Sequence, residues 1–339
     1  MNTTKLTIAC VSYNQEKFVA QMLDGFLAQK TNFPFVALIA DDASTDRTPE
    51  IISDYAARHP DIIKPLLRDT NVGTWKNAMD MLDRIETPYV ALCEADDYWT
   101  DPCKLQKQVD FLETHSDCSM CFHPVTVHWE DGSRPDEIFP TPKFRFHKTL
   151  LTTKDLLRRN FIQTNSVVYR WRFWEDRGGD HCNSIRKAIP QEILPMDHFM
   201  HLLHAETGKI GFLDAPMAVY RRGIESLWAN AKANDPDVFF LRNGMKYLAF
   251  YQVVEKRFRV SRDKPILDTT RAIILAALKK RNFTKLHEFA DAYPELLDRI
   301  IDNWRPDTAK KQRKKFTRII VSLAVLITLL LLALLWFAL

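Results

Sequence analysis

The chain has 339 residues, enough for one large or two small folded domains, and its 46% hydrophobic and 27% charged residues are those of a globular protein. Its net charge of +4 is more than accounted for by one run, Lys310, Lys311, Arg313, Lys314, Lys315 and Arg318. The near-balanced remainder argues against a general nucleic-acid binder, so no nucleic acid is expected as a partner. Only 9 glycines are present, and neither GxGxxG nor GxxxxGK[ST] occurs, which argues against a glycine-rich phosphate loop.

Strand-like and helix-like segments alternate along the first hundred residues. Lys5 to Val11 predicts a buried strand and Ser12-Tyr13-Asn14 a polar turn. Lys17 to Gln29 carries Phe18, Val19, Met22, Leu23, Phe26 and Leu27 at helical spacing. Phe35 to Ala40 predicts a second strand that ends in Asp41 and Asp42. Ser44, Thr45 and Asp46 then offer capping side chains before a helix over Thr48 to Arg58. Ile62 to Leu67 predicts a third strand, Arg68 to Gly73 a turn, Trp75 to Ile85 a helix, and Tyr89 to Cys93 a fourth strand. This alternation predicts an α/β fold with a mostly parallel central sheet and helices on both faces.

The second half is less regular. Leu105 to Thr114 predicts a helix, Cys118 to Trp129 an alternating strand, and Arg134 to Lys143 a Pro-rich loop. Thr152 to Asn160 predicts a short helix, Gln163 to Tyr169 a strand, and Arg172 to Pro195 an irregular polar loop. Met196 to Glu206 predicts a helix with Asp197 in its first turn, and Ile210 to Tyr220 a last strand pair followed by Arg221 and Arg222. From Asp237 to Trp304 the pattern is helical, with Pro265 and Pro294 as breaks.

Between Ile319 and Leu339 only Ser322 and Thr328 are polar. At about 1.5 Å per residue such a helix spans a hydrocarbon core of ~30 Å. The basic run directly before it predicts a cytosolic N-terminal part on a single-pass C-terminal anchor in the cytoplasmic membrane. Met1 to Lys5 are polar, so no secretory leader is expected. The expected organisation is an α/β domain over 1–232, a helical extension over 233–309, a basic juxtamembrane segment over 310–318 and a transmembrane helix over 319–339.

Chemistry concentrates at strand ends. After the apolar run from Tyr89 to Cys93, Glu94, Asp96 and Asp97 crowd three carboxylates into four positions. Such groups repel one another unless a cation or a hydrogen-bonding partner lies between them, and hard oxygen ligands suit Mg²⁺ or Mn²⁺. Asp41-Asp42 end another strand of the same half. In open α/β sheets the strand C-termini share one edge, so the two acidic ends should converge there. The six cysteines read as reduced and structural; Cys118, Cys121 and His123 lack the second ligand pair that a zinc site needs.

Ser12-Tyr13-Asn14, Asp41 to Asp46, Asn71-Val72-Gly73 and Glu94 to Trp99, in that order, make the chain resemble the family 2 inverting glycosyltransferases of GT-A fold, in their membrane-anchored bacterial form. The resemblance covers about Lys5 to Gly223. It implies a nucleotide-sugar donor, with a UDP-sugar expected, and places Tyr13, Asp42, Asn71 and Lys76 near the nucleotide, with Asn77 beside them. It implies that Asp96 holds ribose and metal, with Asp97 and with Glu94 in the place of the usual first Asp. Asp197 becomes the candidate general base, His198 and Glu192 its competitors. Val219 to Gly223, with Ser226 and Trp228, resembles a flexible loop over the diphosphate; Gly223 stands where His is frequent, so Arg221 or Arg222 is expected to supply charge there. The implied activity is sugar transfer with inversion to an acceptor hydroxyl in surface polysaccharide or glycoconjugate synthesis. The membrane anchor points to a lipid-linked acceptor. The alternative is a catalytically silent protein that binds a nucleotide-sugar or a membrane partner.

Overall fold

A computed structural model describes residues 4–141, 149–173, 185–191, 193–222 and 235–304. The chain forms two compact units, Met1–Ala233 and Asn234–Leu339. Among the described residues no helix is long and apolar enough to cross a membrane. The basic run at 310–318 and the apolar span at 319–339 lie outside them.

The first unit is built on β1 (Leu6–Ser12), β2 (Phe35–Asp41), β3 (Ile63–Leu67) and β4 (Tyr89–Leu92), all parallel, with β1 between β2 and β4. Every residue of β4 is buried, and only Val11 of β1 is not fully so. Continuous apolar runs of this kind are what a sheet covered on both faces requires. Helices α1 (Val19–Leu27), α2 (Thr48–Arg58) and α3 (Thr74–Leu82) form the intervening crossovers. Helix α1 buries Val19, Met22, Leu23 and Phe26, one stripe at helical spacing; each such side chain contributes about 1.5–3 kcal/mol of burial energy. Gly25 of α1 meets the backbone of Trp99, since a Cβ there would come within 3.0 Å of the Trp99 carbonyl oxygen. Gly73, at φ 87°, turns the chain into α3.

Beyond β4 the expected mostly parallel sheet becomes mixed. The full order is β3-β2-β1-β4-β10-β6-β11-β9, with β6 (Cys118–Phe122), β9 (Leu150–Leu151), β10 (Val168–Arg170) and β11 (Lys209–Phe212). Strand β10 runs antiparallel to both β4 and β6. The reason lies just before it: the 3-10 turn Thr164–Ser166 is anchored at the sheet's C-terminal edge, where the Asn165 carbonyl accepts from Trp99 Nε1 at 2.9 Å. A strand that starts at that edge must run back against its neighbours.

A second sheet, not expected from the sequence, has the order β5-β12-β7-β8: β5 (Tyr98–Trp99), β7 (Val125–Trp129), β8 (Glu137–Phe139) and β12 (Ala218–Arg222). It corrects three expectations. The single strand from Cys118 to Trp129 divides at His123-Pro124, where proline lacks a ladder donor, and its halves enter different sheets. The Pro-rich loop contributes β8, antiparallel to β7. The expected pair over Ile210 to Tyr220 separates into β11 and β12, one in each sheet.

Helices α4 (Lys104–Thr114), α5 (Thr153–Arg158), α6 (Ile185–Ala188) and α7 (Met196–Ala205) complete this unit. The irregular loop expected over Arg172 to Pro195 includes α6, and 174–184 lie outside the described residues. The second unit contains α8 (Pro236–Phe258), α9 (Asp263–Lys279), α10 (Phe283–Ala292) and α11 (Pro294–Trp304) around Leu248, Ile266, Ile273, Phe289 and Ile300. Pro265 sits in the first turn of α9 and Pro294 begins α11, where a missing N–H is tolerated, each just after a break between helices.

Candidate active site

The C-terminal ends of β1, β2 and β4 bring the sequence-predicted groups to one edge. At the first two ends the polar groups are engaged with one another. Asp41, fully buried, accepts from Ser44 N–H at 2.9 Å and from the Ser44 hydroxyl at 2.6 Å. Asp42 accepts from the N–H groups of Val72 at 2.8 Å and Gly73 at 2.9 Å. Asn71 Nδ2 donates to the Asp42 carbonyl at 3.0 Å. Asn77 is buried, donates to the Ala40 carbonyl at 2.8 Å and accepts from Arg68 Nε at 2.7 Å, so it ties α3 to β2. Asn14, in the left-handed region at φ 54°, donates its N–H to Ser44 Oγ and accepts from Thr45 N–H, both at 2.8 Å. This interlock leaves Tyr13 40% exposed at the end of β1 and Lys76 exposed on α3.

The end of β4 differs. Glu94, Asp96 and Asp97 fold into a turn closed by Asp97 N–H donating to the Glu94 carbonyl at 3.1 Å. One carboxylate oxygen from each lies within 4.8 Å of the others, the one candidate metal group among the described residues. Asp97 is fully buried. Its Oδ1 accepts from Arg221 N–H at 2.9 Å, and its Oδ2 has no partner among the described residues. Burial first, then repulsion from Asp96 and Asp197, pushes the Glu94 carboxyl up to about 8. Burial raises Asp96 as well, and burial with repulsion from Asp96 and Glu94 raises Asp97 strongly. A buried, orphaned carboxylate oxygen within a cluster of hard oxygen donors fits a divalent cation such as Mg²⁺ or Mn²⁺.

Asp197 opens α7 after Pro195, and its Oδ2 accepts from Asn160 Nδ2 at 3.4 Å. It is near enough to Glu94 to raise that residue's pKa, and burial raises its own. Both are half-buried. Its competitor His198 directs Nε2 to the Leu156 carbonyl at 3.1 Å, which joins α7 to α5. Glu192 lies outside the described residues.

Arg221 and Arg222 belong to strand β12, a correction to their expected place in a loop. The reason is the ladder that pairs Val219 through Arg222 with Thr126 through Trp129. Arg221 is buried, and its guanidinium engages Glu130, Gln21 and the Asp96 carbonyl. Arg222 lies against the rings of Trp129 and Tyr220. Gly223, Ser226 and Trp228 lie outside the described residues.

Several neighbours were not singled out by the sequence. Tyr220, raised to about 12 by burial and then by Glu94, borders the acidic turn. Gln21, Glu130 and Asn160 hold site residues from elements far away in sequence, and no local signal marks them. Cys118 and Cys121 lie on β6 on either side of a register shift against β11 and pack into the same core cluster. Burial raises both thiols, Cys118 to about 11, which agrees with unreactive structural cysteines.

The family model described as glycosyl transferase family 2 matches residues 7–185. The chain belongs to glycosyl transferase family 2. An uncharacterized protein of Mycobacterium tuberculosis is 47% identical over 226 residues, 67% of this chain and 61% of that one. The match thus spans about three fifths of the length of this relative. The putative teichuronic acid biosynthesis glycosyltransferase TuaG of Bacillus subtilis is 27% identical over 48% of this chain and 61% of its own. Among solved structures, Staphylococcus aureus TarS 1-349 in complex with UDP-GlcNAc aligns with a TM-score of 0.52 at 17% identity, over 80% of this chain and 79% of that one. The mannosyltransferase PcManGT of Pyrobaculum calidifontis, in complex with GDP-Man and Mn²⁺, aligns with a TM-score of 0.50 at 17% identity, over 90% and 83%. These likenesses show the shared GT-A-like fold that the family resemblance implies.

Proposed function

We propose that this protein transfers a sugar from a nucleotide-sugar to an acceptor hydroxyl, with inversion, using Mg²⁺ or Mn²⁺. The observation that carries the reading is the acidic turn Glu94-Asp96-Asp97 at the strand edge, with the buried Asp97 Oδ2 left without a partner among the described residues and Asp197 close enough to raise Glu94. Glu94, Asp96 and Asp97 would hold the ion, which when bound supplies positive charge to the departing nucleoside diphosphate. Tyr13, exposed at the end of β1, is suited to stack on the base, while Asp42 and Asn71 fix the loop beside it. The acceptor oxygen attacks the anomeric carbon as the bond to the diphosphate breaks, and its proton passes to Asp197. Asp197 acts only when ionised, and its pKa is raised by burial. The acid limb of the rate profile should therefore lie above that of an exposed aspartate.

A UDP-sugar is the favoured donor, supported by the UDP-GlcNAc bound to TarS; the GDP-Man of PcManGT is the rival. The likeness to TuaG, named for teichuronic acid biosynthesis, and the apolar 319–339 span support a lipid-linked acceptor and a cytosolic active site anchored at the cytoplasmic membrane.

The test is nucleoside-diphosphate release from a panel of UDP- and GDP-sugars by the full-length protein, with Mn²⁺ or with EDTA. Release from one donor that EDTA abolishes is the expected result, and Asp197→Asn should lower kcat by about 10²–10⁴-fold. Asp197→Asn turnover equal to that of the unaltered protein would remove the base role, and silence across the panel would remove the transferase reading.

A further inference from the structure

We infer that Arg221 is a positioning residue for the cation site, holding Asp96 and Asp97 from behind, and not a ligand of the donor diphosphate. The inference rests on the proposed reading of the acidic turn as a cation site. Arg221 touches that turn twice: its backbone N–H donates to Asp97 Oδ1 at 2.9 Å, and Nη1 donates to the Asp96 carbonyl at 2.6 Å. One residue thus sets the place of one carboxylate and of the peptide that carries its neighbour.

The rest of the side chain is anchored away from the turn. Nε donates to Glu130 Oε1 at 2.6 Å, and Nη2 donates to Gln21 Oε1. The guanidinium carbon lies 4.9 Å from the Phe18 ring centroid and 4.4 Å from that of Tyr98. With 4% exposure, Arg221 has little surface left for a ligand from solvent. These contacts reach α1, the end of β7 and β5, so the turn is referenced to three separate elements. The positive charge also offsets part of the repulsion among three crowded carboxylates before any cation arrives. A lysine would keep the charge but not the planar fork that reaches Glu130, Gln21 and Asp96 together.

Partners that hold metal ligands from behind typically contribute about 10–100-fold to metal affinity. The test is a Mn²⁺ titration of full-length protein, read by water-proton relaxation, with UDP titrated at saturating Mn²⁺ as the nucleotide probe. Arg221→Lys should weaken Mn²⁺ binding by about tenfold or more, and Glu130→Gln, which loosens only the anchor, by about threefold. UDP affinity at saturating Mn²⁺ should stay within about twofold of the unaltered protein. Unchanged Mn²⁺ affinity in the folded variants overturns the inference. So does a loss of UDP affinity with Mn²⁺ affinity intact, the signature of a diphosphate ligand. If Arg221→Lys does not fold, by circular dichroism, Glu130→Gln decides by the same criterion; where UDP does not bind, the Mn²⁺ arm decides alone. Failure of the unaltered protein to bind Mn²⁺ removes the cation reading and this inference together. Mn²⁺ binding without turnover of any donor removes only the transferase reading.

Discussion

Two acidic strand ends of similar composition have opposite fates in this fold. At the end of β2, Asp41 and Asp42 use their carboxylate oxygens on the N–H groups of Ser44, Val72 and Gly73. At the end of β4, Glu94, Asp96 and Asp97 are pressed together, and a buried oxygen of Asp97 has no partner. The first pair is architecture that shapes the loops at this edge of the sheet. The second cluster is destabilising by itself, and the proposed cation would relieve it. Acidity at a strand end therefore says little until the partners of each oxygen are counted.

The largest expected effect comes from neutralising one member of the unsatisfied cluster. Asp97→Asn should lower turnover by about 10³-fold or more by weakening the charge that stabilises the leaving group, yet raise the metal-free melting temperature by easing repulsion. A lower metal-free melting temperature would erase the contrast between the two strand ends. Asp42→Ala should lower the melting temperature: it leaves the Val72 N–H without its acceptor and the Gly73 N–H with only Asn71 Oδ1 at 3.2 Å, and costs about 1–3 kcal/mol of stability. A melting curve like that of the unaltered protein would show that the Asp42 carboxylate is not structural.

A smaller effect is expected from pH. Glu94 is raised from 4.5 to about 8, so between those values the folded state binds a proton that the unfolded state has released. Its contribution to stability therefore falls as pH rises from about 4.5 to 8 and is level above that. Lys104, buried and lowered from 10.5 to about 7, acts oppositely: the unfolded state binds the extra proton, so its contribution rises with pH from about 7 to 10.5. Between pH 5 and 7 the raised carboxyls of Asp96, Asp97 and Asp197 act in the same sense as Glu94, whereas His123, His201 and His204, kept neutral by burial, act oppositely. Mn²⁺ should therefore remove the share of the slope that belongs to the acidic turn and leave the histidine share. A slope unchanged by Mn²⁺ would place the titrating group elsewhere.

The first half of the fold was legible because each strand and its helix lie close in sequence and carry the periodicity of a covered parallel sheet. The acidic turn was legible because its three charges are sequence neighbours. The second sheet was not. The strand character of β7 and most of β12 was legible, but β5 is two residues long, β8 lies in a Pro-rich stretch, and nothing local told which strands would pair in a separate sheet. Arg221 illustrates the same limit: beside Arg222 in sequence it resembles a solvated basic pair, whereas Gln21 and Glu130, its partners, come from distant segments. His123-Pro124 shows a signal that was present, since proline marked the place where one apparent strand became two.

Strand β12 has a bearing on how this protein is made. The stretch matched by the family model ends at 185, whereas β12, which closes the second sheet beside β5 and donates to Asp97, begins at Ala218. During synthesis the nascent chain exposes its acidic turn well before the segment that braces it leaves the ribosome, and that delay is set by sequence separation alone. A fragment cut at the family-model boundary would carry every carboxylate of the cluster and lack its brace, so the smallest useful expression fragment of the first unit has to run past Arg222.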